Sequence, residues 1–197
     1  MRAEPATPLF GSLDDFLAWE QRQTARYELL PGGVVRMMAG GTYDHSQIAS
    51  NLTAALRPQL RGRRCYVHAA DAKVVSRQHQ ALVYPDVFVR CGEIGGKASV
   101  VDDPVVIFEV LSDSTARHDL TRKRLLYKSM PSVRVVVYVS PDQHRLDIVR
   151  RGGDGRFDDE VIEGAEATLA LPEIDASLTL GEIYEDTSLT AGAGEGS

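Results

Sequence analysis

The chain has 197 residues, of which 43% are hydrophobic and 25% charged, with two cysteines and a formal charge of −6. That is enough for one domain with its own core, and the composition excludes a collagen-like, disordered or disulfide-scaffold protein. No apolar run is long enough to span a bilayer and no basic-then-apolar leader opens the chain, so a cytoplasmic protein is expected.

In chain order, Ser12 is a good N-cap ahead of Asp14 and Asp15, and Leu13, Phe16 and Leu17 share a face, which predicts a short helix over 12–20. Tyr27 to Leu30 and Val34 to Met38 flank Pro31-Gly32-Gly33, a β-hairpin signal. From Tyr43 to about Leu60, Ile48, Leu52, Ala55 and Leu56 recur at helical spacing; Pro58 should disturb the last turn, and Gly62 ends it. Cys65 to His68, Lys73 to Ser76 and Val83 to Arg90 read as successive strands. Cys91 to Asp103 reads as a loop, and Val105 to Leu111 as a central strand.

A helix follows over about 117–129, closed by Pro131, then strands over 133–139 and 146–150. Residues 157–171 look like short edge strands and 180–184 like a last helical turn. The expected class is α/β, a mixed sheet covered by helices 43–60 and 117–129. Residues 1–186 form one domain, and 187–197, rich in Gly, Ala and Ser, a disordered tail. Cys65 and Cys91 each lack a neighbouring cysteine, which points to buried free thiols.

Charge is unevenly spread. Residues 152–197 hold twelve acids and one base, Arg156, so residues 1–151 carry +5. A basic body could meet a polyanion while the acidic end limits nonspecific sticking; the plainer reading is a solvated end.

The chemistry-bearing stretches are Tyr84-Pro85-Asp86-Val87-Phe88-Val89 and Val105-Val106-Ile107-Phe108-Glu109-Val110-Leu111-Ser112. Each is strand-like and carries one carboxylate, and acids are rarely buried without a partner. A divalent cation held by oxygen is the plainest shared partner. The order Tyr27-Glu28-Leu29, His45, Tyr84-Pro85-Asp86, Glu109-Val110-Leu111-Ser112 and Asp119-x-x-x-Lys123-x-x-x-Tyr127 resembles the Uma-type (Uma two) family of restriction-endonuclease-like proteins. These fall in the PD-(D/E)XK nuclease superfamily, and the resemblance covers about residues 12–150.

The resemblance implies a restriction-endonuclease-like mixed sheet flanked by helices, acting on DNA with Mg²⁺ or Mn²⁺ held by Asp86, Glu109 and the Val110 carbonyl, and often working as a homodimer. It makes Glu28 an additional acid that positions a water or a second metal. Where the motif expects lysine, two positions after Glu109, this chain has Leu111. Lys123, reaching back from the next helix, and Lys73, facing inward by strand parity, are both candidates for the missing cation. His45 either caps its helix or orients phosphate or the attacking water. Plainer readings are a solvated Lys123, a Lys73 paired with Asp71, an exposed strand Glu28 and an Asp86 that accepts backbone N–H groups.

Two basic groups, Arg57/Arg61/Arg63/Arg64 and Arg117/Arg122/Lys123/Arg124/Lys128, could hold a polynucleotide backbone without reading sequence. The expected function is a metal-dependent DNA endonuclease. The rivals are a catalytically silent nucleic-acid-binding or regulatory protein, motivated by Leu111, and a hydrolase of another phosphate ester.

Overall fold

The computed structural model describes residues 9–37, 41–69, 72–93, 96, 99–112 and 117–191, with the backbone alone at 36, 117–119 and 191. Asp71 and residues 192–197 lie outside the described residues, as does the side chain of Asp119. In order the elements are α1 (Leu13–Glu20), β1 (Tyr27–Leu30), β2 (Gly33–Arg36), α2 (Tyr43–Gln59), β3 (Cys65–Ala69), β4 (Lys73–Ser76), β5 (Ala81–Val83), β6 (Val87–Cys91), β7 (Val100–Val101) and β8 (Pro104–Val110). There follow α3 (Arg117–Ser129), β9 (Val135–Val139), β10 (Arg145–Arg151), β11 (Phe157–Glu163), β12 (Thr168–Leu171), β13 (Ala176–Thr179), α4 (Leu180–Ile183) and α5 (Ser188–Ala191).

The central six-stranded sheet runs β11-β10-β9-β8-β6-β3, and its one parallel pair, β8–β9, is joined by the crossover helix α3. Strand parity then decides which layer each residue meets. Val106, Phe108, Val110, Val135, Val137 and Val139 face α2, the β12–β13 hairpin and α4. Phe88, Ile107, Val136 and Tyr138 face the opposite way, toward α3 and a five-stranded sheet ordered β2-β1-β5-β4-β7. α1 closes the outside of that second sheet with Leu13 and Phe16 against Val75, Leu82 and Tyr84. By the same alternation Glu109 lies on the α3 side.

Both cover helices stand where periodicity places them. Pro58 sits inside α2 without ending it, and the Leu60 N–H still reaches the Leu56 carbonyl at 3.0 Å. Val83 to Arg90 is not one strand. β5 belongs to the five-stranded sheet and β6 to the six-stranded one, with Tyr84-Pro85-Asp86 as the passage between them. Pro85 has no N–H for a ladder, so pairing lapses there. The 91–103 loop contains β7, which pairs in parallel with β4, and β11 is a seven-residue edge strand rather than a short one.

Two further expectations are corrected. The fold runs past residue 186: Thr187 is 1% exposed, Leu189 packs on the main core and the Ser188 N–H donates to Asp44 at 3.0 Å. The acidic end is largely exposed, as the plainer reading expects, and four of its acids also pair with arginines: Asp159 with Arg124, Glu163 with Arg145, Glu173 with Arg150 and Asp175 with Arg63. Cys65 and Cys91, opposed across the β3–β6 pair, are joined in a disulfide and are not free thiols. Their sequence separation hid this, since strand register alone makes them neighbours. Among the described residues no helix is long and apolar enough to cross a membrane.

The bridge spans a sequence separation of 26, and loop-closure entropy makes it worth about 3 kcal/mol. A reductant should therefore lower the urea midpoint of the oxidised protein and leave Cys65→Ala unmoved. Equal midpoints with and without reductant would show that the bridge does not form.

Candidate active site

Asp86 follows Pro85 at the mouth of β6. Its Oδ2 accepts the Val110 N–H at 2.7 Å, which ties it to the end of β8. Glu109 is one residue earlier on β8, close enough for its carboxyl to feel the Asp86 charge. His45 stands in the first turn of α2, whose N-cap Thr42 accepts the His45 N–H at 3.2 Å, and its Nε2 lies 3.3 Å from Asp86 Oδ1. Gly41 leaves room for that ring: a Cβ there would come within 3.0 Å of His45 Nδ1.

Glu109 is 7% exposed. Its Oε1 accepts from Lys123 Nζ at 3.2 Å and from the Tyr127 hydroxyl. Lys123 and Tyr127 are one helical turn apart on α3 and so present a common face to the strand end. The same ammonium lies 2.8 Å from Glu28 Oε1, and that oxygen also accepts the Tyr84 N–H at 2.9 Å. Lys123, 8% exposed, is thus held by two carboxylates from two different sheets.

The expected site residues sort themselves plainly. Asp86, Glu109, Val110, His45, Glu28 and Lys123 come together. Lys73 does not: its Nζ donates to Glu20 at 2.7 Å, and β4 carries it away from the end of β8. Glu28 is 4% exposed, and its Oε1 holds the Lys123 ammonium and accepts the Tyr84 N–H. Leu111, in the usual lysine position, packs into the apolar cluster under α3, while Lys123 supplies the cation from the helix. Sequence reading gave Tyr127 no role, although its spacing of four from Lys123 was the available signal.

Burial pushes the Glu109 carboxyl up to about 7, against the pull of the Lys123 ammonium. Burial likewise works against charge on Lys123, but the carboxylates of Glu109 and Glu28 outweigh it and hold the ammonium above its ordinary value. Lys123 is therefore a fixed charge, beside which Glu109 ionises. His45 is raised by its hydrogen bond to Asp86, which overcomes partial burial. Burial, then Glu109, keep Tyr127 protonated as a donor.

A hard divalent cation takes oxygen donors, commonly one or two carboxylates with waters filling the remaining positions. The donor set fits. Among the described residues Glu109 Oε2 carries no hydrogen bond, and it shares the strand end with Asp86 and the Val110 carbonyl. Among the same residues no three His, Cys, Asp or Glu side chains group closely enough to hold a metal ion, so the two carboxylates alone would not complete a coordination shell.

The basic groups are placed less simply. On α3, Arg122 donates to the Pro31 carbonyl, Arg124 meets Asp159, and Lys128 lies over the Phe157 ring, so that helix is not a free cationic rail. Arg57, Arg61 and Arg64 line, with Arg90, a cleft of about 880 Å³ along β3. Their end of β3 is that of Cys65, paired with Cys91, whereas Asp86 adjoins Val87, paired with Ala69 at the other end.

The Uma2 family model, described as "Putative restriction endonuclease", matches residues 13–181. The uncharacterized protein slr1290 of Synechocystis sp. is 30% identical over 176 residues, covering 88% of this chain and 90% of its own. A second uncharacterized Synechocystis sp. protein, sll1609, is 24% identical over 155 residues, covering 77% and 87%. A crystal structure of "a putative nuclease" from Anabaena variabilis superposes with a TM-score of 0.73 at 18% identity, covering 90% of this chain and 98% of that one, and shows the same mixed α/β fold. With the match running from the start of α1 into α4, the chain belongs to the Uma2 family of restriction-endonuclease-like proteins.

Proposed function

We propose that this protein is a Mg²⁺- or Mn²⁺-dependent endonuclease that hydrolyses DNA phosphodiester bonds. The observation that carries the reading is the meeting of Asp86, Glu109 and Lys123 at one strand end, with the lysine delivered by α3 instead of by position 111. When bound, the cation would polarise the phosphoryl oxygen and lower the pKa of a ligated water. Asp86, Glu109 and the Val110 carbonyl would hold it. Lys123, locked by Glu28, presents a permanent positive charge beside Glu109, suited to stabilising a hydroxide and the charge that develops on phosphate. His45 steadies Asp86 through Oδ1. A silent scaffold was motivated by the lysine missing at 111, and a lysine from α3 weakens that motive. Cutting both strands of a duplex needs two such sites, which favours a homodimer.

Plasmid cleavage with Mg²⁺ or Mn²⁺ tests the reading. Asp86→Asn and Glu109→Gln should each lose activity by about 10³-fold or more, the scale of a lost transition-state contact, with circular dichroism unchanged. Tight DNA binding without cleavage under any divalent ion would favour the silent scaffold. Cleavage only of small phosphodiesters would favour the third reading.

Metal uptake should depend on pH with a definite sign. Glu109 must give up its proton to ligate, and its carboxyl is held near 7, so Mn²⁺ affinity should fall about tenfold per pH unit below about 7 and level off above it. Deprotonation of His45 acts in the same direction by releasing Asp86. Calorimetry in two buffers checks this through proton release at pH 6.5; pH-independent affinity between 5.5 and 7 would contradict it.

A further inference from the structure

Away from the proposed site the protein repeats the same trio of groups. Glu109 receives an ammonium from Lys123 and a hydroxyl from Tyr127. Glu20, at the end of α1, receives an ammonium from Lys73 at 2.7 Å on one oxygen and the Tyr84 hydroxyl at 2.7 Å on the other. Glu20 is 5% exposed and Tyr84 3%, so neither bond is a surface accident. A buried carboxylate is costly unless fully paired, and here both oxygens are used.

Tyr84 is the member that connects the two trios. Its side chain is tied to Glu20 and its backbone N–H to Glu28, which in turn grips Lys123. Two residues further on is Asp86, reached through Pro85, whose ring fixes φ and shortens the list of conformations the passage can adopt. The passage between the sheets has no ladder of its own; these two bonds register it at Tyr84, and the Val110 N–H registers it at Asp86.

We propose that Glu20 and Tyr84 are positioning residues that fix the Tyr84-Pro85-Asp86 passage and so set where the Asp86 carboxylate stands, a role that rests on the reading of Asp86 as a cation ligand. Lys73, the lysine that strand parity offered as a catalytic group, neutralises Glu20 and acts only through it. The tether runs from α1 and the five-stranded sheet to a ligand on the six-stranded sheet, as outer contacts orient the ligands of metal sites generally.

Tyr84→Phe removes one oxygen and keeps the ring; Glu20→Gln is the second variant should the first fail to fold. The direct readout is amide hydrogen exchange followed by NMR. The Val110 N–H is protected by Asp86 itself, so loosening of Asp86 should speed Val110 and Tyr84 exchange by about tenfold or more, with Ile107 and Val136 unchanged. Unchanged exchange at Val110 overturns the proposal, and so does a uniform rise across all four amides, which reports general destabilisation. Mn²⁺ binding followed by electron paramagnetic resonance supplies the second readout, with affinity expected to weaken about tenfold in Tyr84→Phe. A wild type that binds no Mn²⁺ while its Val110 amide still responds to Tyr84→Phe would remove the metal reading and leave the positioning role standing.

Discussion

A lysine ammonium taken out of water is tolerable only when carboxylates replace the solvent it loses, and Lys123 has two of them. Glu28 comes from the five-stranded sheet, Glu109 from the six-stranded sheet and the lysine from the helix between β8 and β9. One charge therefore pins three layers at the point where the candidate chemistry sits. Removing Lys123 leaves two buried carboxylates without their cation, at a cost of about 3–5 kcal/mol, whereas removing either acid leaves the ammonium one partner. The arrangement also fixes Glu109, because the Tyr127 hydroxyl and the ammonium share one oxygen, while the other carries no hydrogen bond among the described residues.

That geometry explains how a chain with Leu111 in the usual lysine position keeps a cation beside its carboxylates. Glu109 and Leu111 lie on the same side of the strand end, and α3 covers that side. Leu111 joins the apolar packing under the helix, and Lys123, twelve positions on, fills the electrostatic role. The site thus depends on packing of α3, not on strand sequence alone.

Much of this was legible in the sequence. The Ser12 cap, the helical spacing of Ile48, Leu52 and Leu56, and the β-branched run around Glu109 each announce their element, and the ordered acids point to the family. What was not legible is what three-dimensional register decides. Lys73 and Lys123 look equivalent as inward lysines; Glu20, 53 positions from Lys73, settles which one is elsewhere. Val83 to Arg90 keeps one unbroken strand pattern, yet its two halves belong to different sheets, and Pro85 was the sole hint. Cys65 and Cys91 meet only because β3 and β6 pair in that register. The acids of β11 stay exposed, but register alone decides that Arg145 of β10 and Arg124 of α3 come against Glu163 and Asp159. The β3 cleft that Arg57, Arg61 and Arg64 line also holds Glu93, Asp102 and Asp103, with Arg64 against Glu93 and Arg90 against Asp103, so it too is mixed in charge.

The most direct measurement is anomalous scattering from a crystal soaked in Mn²⁺. The expected result is one peak about 2.1 Å from oxygens of both Asp86 and Glu109, with the Lys123 ammonium as the nearest cationic side chain. A peak elsewhere, or none while the ion saturates the protein in solution, would contradict a shared cation site at the end of β8.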